Sequence, residues 1–155
     1  MAKVLAKNRK ALFDYSLIEK VSAGIVLKGH EIKAIKEGKV NFEGSYVQVL
    51  DDEPYVVNMH IGRYSKQSSD FNKYEATRSR KLLLKKKEIE DLQKAVSQKR
   101  HTAIPLALVL DRNKIKLEFG IVKGRKEYEK KEVTKRKQQE RDLERQAKEI
   151  KSKYL

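Results

Sequence analysis

Cations dominate the groups in this chain that could do chemistry. Between Arg63 and Lys87 there are nine basic residues (Arg63, Lys66, Lys73, Arg78, Arg80, Lys81, Lys85, Lys86 and Lys87) against two acids, Asp70 and Glu75. They bracket an apolar run, Leu82-Leu83-Leu84, that cannot all face one core, so one leucine is expected at the surface beside them. A second set, Asn8, Arg9 and Lys10, stands just before the first apolar segment. Lysine and arginine in such clusters suit contacts to phosphate, which hold a nucleic acid in register without reading its bases.

Other chemistries lack their residues. The three histidines, His30, His60 and His101, are far apart and there is no cysteine, so zinc-ligand spacing, thiol catalysis and a disulfide framework are all missing. No G-x-S-x-G, phosphate-binding loop or paired carboxylates stand out, and no cofactor is expected. Tyr15, Tyr46 and Tyr55 fall at strand positions, where packing fits better than stacking on bases.

Composition agrees. The chain has 155 residues, 37 Lys plus Arg against 22 Asp plus Glu, and a formal net charge of +15. An excess of that size points to a polyanion. Hydrophobic residues make up 39%, so part of the length must be solvated rather than packed. No apolar run approaches the ~20 residues of a membrane span, and the N-terminus lacks an apolar signal core. A cytoplasmic, non-membrane protein is expected.

These residues need a frame. Ala23 to Tyr46 reads as strand, turn, short helix, loop and strand. His30 to Glu37 has helical spacing, with Ile32 and Ile35 to dock on a sheet. Glu31, Lys33, Lys36 and Glu37 turn away as a charged face expected to belong to a binding site, and Gly38 serves as C-cap.

Upstream, residues 1–10 read as a basic arm, with Lys3 and Lys7 as readily a frayed, solvated end as a contact surface. Tyr15 to Lys28 reads as a long strand with a bulge near Ser22-Ala23-Gly24. Tyr46–Leu50 and Tyr55–Ile61 form a hairpin, with Tyr55, Val57, Met59 and Ile61 on one side. Gly62 to Arg80 is a long loop, Lys86 to Lys99 a helix, and Pro105 marks an edge strand before a turn at Asp111-Arg112-Asn113. Ile115, Leu117, Phe119 and Ile121 alternate as a strand.

From Gly124 to Leu155 there are 12 basic and 7 acidic residues and few apolar ones, too few to fold alone. The expected organisation is therefore an arm at 1–10, a barrel at 11–123, and a basic tail at 124–155, disordered when free. The fold class is mainly β with minor α: an antiparallel barrel of the oligonucleotide-binding type with two or three short helices.

Several segments together resemble the SmpB family of tmRNA-binding proteins. They are NRKALFDY, AGIVLKGHEIKAIKEGKVN with GSY, NMHI, RSRKLLLKKKEI, and GRKEYEKKE followed by KRKQQERD, in the family order along nearly the whole chain. The resemblance implies a monomeric RNA-binding barrel without enzymatic activity that grips the tRNA-like domain of tmRNA. It implies a tail that enters the decoding site and empty mRNA channel of the small ribosomal subunit and becomes helical there. Carried over by residue, the RNA contacts are Asn8, Arg9, Lys10, Tyr15, Glu31, Lys33, Arg78, Arg80, Lys81, Leu83, Lys85, Gly124, Arg125 and Lys126. The ribosome-facing tail residues are Tyr128, Lys130, Lys131, Lys135 and Arg136. Ser22 departs from the family's Glu, and Lys85 from its Asn or His, which removes a good helix N-cap. The alternative from another class is a structural ribosomal-RNA-binding protein. A coiled-coil tail is disfavoured because Arg136 and Glu140 spoil the heptad.

Overall fold

In a computed structural model of the chain, residues 2–66 and 73–124 are described, together with 138, 139 and 141. The chain divides into two units, Met1–Gly124 and Arg125–Leu155. In the second unit the described residues, Gln138, Gln139 and Arg141, are helical. The expectations placed on Arg125, Lys126, Tyr128, Lys130, Lys131, Lys135 and Arg136, and on a tail disordered when free, lie outside the described residues.

The first unit runs β1 (Lys3–Lys7), α1 (Ala11–Asp14), β2 (Tyr15–Ile25), α2 (Gly29–Lys36), β3 (Val40–Asn41), β4 (Tyr46–Leu50), β5 (Glu53–Val57), β6 (His60–Ile61), α3 (Lys73–Ala76), β7 (Arg80–Leu83), α4 (Lys86–Val96), β8 (His101–Asp111) and β9 (Lys114–Gly124). Every pairing is antiparallel, and the order β8-β4-β5-β7-β2-β9 closes on itself through the β8–β9 ladder. Closure removes most sheet edges, as the barrel class requires. β3 and β6 form a separate two-stranded pair.

The barrel interior is filled from every strand of the ring. Ala23, Val47, Val56, Leu82, Ala103, Leu108, Leu117 and Phe119 are buried there, joined by Ile35 of α2 and Leu92 of α4. A fully buried isoleucine such as Ile35 contributes about 2 kcal/mol relative to exposure, which is how an eight-residue helix keeps its place. Its end is sealed by Gly38 at φ +78, with Gly38 N–H donating to the Ile35 carbonyl and Lys39 N–H to that of Ala34.

Four expectations are corrected. The basic stretch Lys3–Lys7 is not a frayed end but a strand, paired with β8. The β2 bulge falls at Ile18, between the Leu17 and Glu19 pairings, and not at Ser22–Gly24. Gly24 serves close approach instead: it pairs with Lys116 on one side and Leu83 on the other, and a Cβ there would stand 3.2 Å from Leu83. The alternation from Tyr55 to Ile61 breaks at Asn58, whose φ of +60 flips the parity, so Val56 is buried before it and Met59 and Ile61 after it. Pro105 does not mark an edge. β8 is flanked by β9 on one side and by β1 and β4 on the other, and Pro105 is accommodated by a register shift before Ala107.

Candidate nucleic-acid interface

At one end of the barrel, Asn8, Arg9, Lys10 and Tyr15 come together. Asn8 fixes the approach. Its backbone N–H donates to the Leu106 carbonyl and its Nδ2 donates to the Pro105 carbonyl, both at 2.8 Å. Those carbonyls are available because the β8 ladder shifts register there. The chain then turns over Lys10, whose carbonyl accepts the Phe13 and Asp14 N–H groups and starts α1. Facing this corner is the loop between β3 and β4. Gly44 takes φ +74, Asn41 Oδ1 accepts the Glu43 N–H, and Ser45 returns to the Phe42 carbonyl with both its N–H and its hydroxyl. Between corner and loop lies a cleft of about 650 Å³ lined by residues 7–11, 14, 15 and 40–46 with Thr102 and Ile104. Three of its side chains, Lys7, Arg9 and Lys10, are cationic, against Asp14 and Glu43. A concave surface with exposed cations on its rim and peptide and hydroxyl groups on its wall can take phosphate and ribose.

The last barrel residue belongs to the same corner. Gly124 stands opposite Tyr15 in the β2–β9 ladder. Its N–H donates to the Arg100 carbonyl at 3.1 Å, and its carbonyl accepts from the Arg100 guanidinium at 2.9 Å.

Glu31, Arg78 and Arg80 form a second group with a different character. Glu31 is buried, 2% exposed, and Arg80 is 0% exposed. This corrects the expectation of Glu31 on an outward charged face: α2 turns Glu31, Ala34 and Ile35 inward. The reason is electrostatic, since a carboxylate so placed is neutralised by two guanidiniums. Arg80 Nε donates to Glu31 Oε2 at 2.7 Å, and Arg78 Nη2 pairs with Oε1. Glu31 Oε1 also accepts the Lys28 N–H at 2.8 Å, which caps the first turn of α2. Burial alone would raise the Glu31 carboxyl, but Arg78, the Lys28 N–H and Arg80 together hold it below its ordinary value. Burial pushes the Arg80 guanidinium down, and Glu31 opposes that shift.

The remaining candidates are outward-facing. Leu83 is 57% exposed and covers Gly24, whereas Leu82, its neighbour on β7, is 1% exposed in the core. Lys81 pairs with Glu53 at 3.2 Å. Lys33 lies 5.3 Å over the ring of Tyr64. Lys85 is exposed at the start of α4, where its N–H donates to Glu88 Oε1 at 2.9 Å. The lysine side chain has no acceptor to return that bond, so Glu88 alone supplies the cap that an Asn would have shared.

Sequence reasoning missed the wall of the cleft, residues 41–46 with Thr102, and it missed Arg100. The first had a signal in Gly44-Ser45 before an apolar strand. Arg100 had none, because its partners are backbone groups brought near by the fold.

Comparison with known proteins places the chain. The SmpB protein family model matches residues 5–149. The chain belongs to the SmpB family. Among SmpB relatives, the SsrA-binding protein of Chloroflexus aggregans is 44% identical over 142 residues, 92% of this chain and 89% of that protein. The SsrA-binding protein of Borreliella burgdorferi is 41% identical over 145 residues, 94% of this chain and 95% of that one. A solved SmpB chain described as "tmRNA-SmpB: a journey to the center of the bacterial ribosome" superposes with a TM-score of 0.66 at 39% identity, covering 78% of this chain and 84% of the other.

Proposed function

We propose that this protein binds tmRNA, the SsrA RNA, through its tRNA-like domain and delivers it to stalled ribosomes in trans-translation. It works by binding alone, in the cytoplasm, with no catalytic step of its own. No helix among the described residues is long and apolar enough to cross a membrane. The barrel grips the RNA, and the basic segment after Gly124 enters the decoding site and the vacant mRNA channel.

The observation that carries this reading is the extent of the kinship. Proteins named for SsrA binding match more than nine-tenths of the chain, so barrel and basic tail match together. The barrel supplies what RNA binding needs: a cleft with Lys7, Arg9 and Lys10 at the end where the barrel's last residue pairs with Tyr15. Phosphates held there fix position, and the shape of a folded RNA gives selectivity.

Truncation after Lys126, which keeps every residue named as an RNA contact, tests the division of labour. Affinity for tmRNA stays near that of the full chain, and tagging on stalled ribosomes is abolished. Loss of both together contradicts it.

A further inference from the structure

Every side-chain oxygen of Glu31 and every side-chain nitrogen of Arg80 already has a partner inside the protein. A carboxylate offers about four lone-pair sites, and a guanidinium five N–H donors. On Glu31, Oε1 accepts from Lys28 N–H and Arg78 Nη2, while Oε2 accepts from Arg80 Nε and stands 2.6 Å from Arg80 Nη2. The terminal nitrogens of Arg80 also hold carbonyls: Nη1 donates to Met59 at 2.6 Å, and Nη2 donates to Ala76 at 2.9 Å, with Glu75 at 3.3 Å. Their side chains are 3% and 0% exposed. Arg78 differs. Its side chain is 27% exposed, it touches the cluster through Glu31, and its Nε is buried without a partner among the described residues.

We propose that Glu31 and Arg80 form a closed internal latch that RNA never touches, and that Arg78 is the member of the trio that RNA reaches. The latch ties four points of the chain: the first turn of α2, Met59 before β6, the C-terminal carbonyls of α3, and β7. Arg78 lies between the last two, so the latch fixes its backbone at both ends, and Glu31 Oε1, which it shares with the Lys28 N–H, aims its side chain. Glu31 and Arg80 are then positioning residues and Arg78 a contact. This rests on the RNA-binding reading above.

The test follows the arginine Nε–H resonances of the isotopically labelled full-length protein, alone and with the tRNA-like domain of tmRNA. In the free protein the Arg80 Nε–H exchanges slowly with water, and on RNA addition it does not move, while the Arg78 signal shifts. An Arg80 Nε–H that exchanges as fast as an exposed arginine's, or that moves with RNA as far as Arg78's, overturns the latch. If RNA moves no resonance anywhere, the RNA-binding reading fails, and the exchange rate of the free protein still decides the latch. A mutant cycle gives a second measure. Arg78→Ala weakens RNA binding about tenfold in the parent, as the loss of a charged hydrogen bond would. In the Glu31→Gln/Arg80→Gln background it weakens binding less than about twofold, because Arg78 is already misplaced. Losses that simply add overturn the proposal.

Discussion

Tyr15 and Gly124 face each other across β2 and β9, which puts the last residue of the barrel at the cleft lined by Asn8, Arg9 and Lys10. The corner is held by few bonds, and Asn8 makes two of them, to the carbonyls of Leu106 and Pro105. Asn8→Ala removes the side-chain bond and leaves the Pro105 carbonyl without that donor. Denaturant unfolding should show a loss of about 1 kcal/mol. RNA affinity should fall under conditions where both proteins are fully folded, because the Arg9-Lys10 turn loses its anchor.

Leu82 and Leu83 separate packing from binding on adjacent residues. Leu82→Ala opens a cavity in the barrel and costs about 2–5 kcal/mol. Leu83→Ala changes stability by less than about 0.5 kcal/mol, since its side chain is largely in solvent. If Leu83 packs against RNA, that second variant binds more weakly with an unchanged melting temperature. Unchanged affinity removes Leu83 from the interface.

Acid should unfold the barrel partly through Glu31. Its carboxyl lies below the ordinary value of 4.5 in the folded chain, so the unfolded chain binds more protons there. The stability this contributes is fully present above about pH 4.5 and is lost as pH falls through the depressed folded value. Unfolding free energy measured against pH should drop steadily through that range. Glu31→Gln starts from a lower stability, because two guanidiniums lose their counter-charge, and its acid limb is flatter.

The β8–β9 turn leaves room for improvement. Arg112 and Asn113 sit at φ +51 and +64, a two-residue turn with both central residues left-handed. Glycine favours the second of these positions. Asn113→Gly should stabilise by about 0.5 kcal/mol, seen as a small rise in melting temperature, without changing RNA affinity.

Much of the barrel could be read from the chain because its strands carry their own signals. Ile115 to Ile121 alternates, and Gly38 closes α2 as its freedom at positive φ suggests. The errors arose where one residue re-routes several. Asn58 at positive φ inverts the parity that follows it, and a proline that usually marks an edge sits in a central strand because the register shifts beside it. The inward turn of Glu31 escapes sequence reading for another reason. Helical periodicity cannot tell a solvated carboxylate from one neutralised by Arg78 and Arg80, which are 47 and 49 residues away. The cleft needed three separate segments brought together, so its cations could be named in advance but its wall could not.

Selective RNA binding is tested most directly by measuring dissociation constants of the full-length protein for tmRNA, for its tRNA-like half, and for an unrelated structured RNA of matched length at one physiological salt concentration. Shape recognition by the barrel gives similar, tight values for the first two and a value at least about tenfold weaker for the third. Equal affinity for all three would reduce the barrel to a non-specific cation and contradict the proposed function.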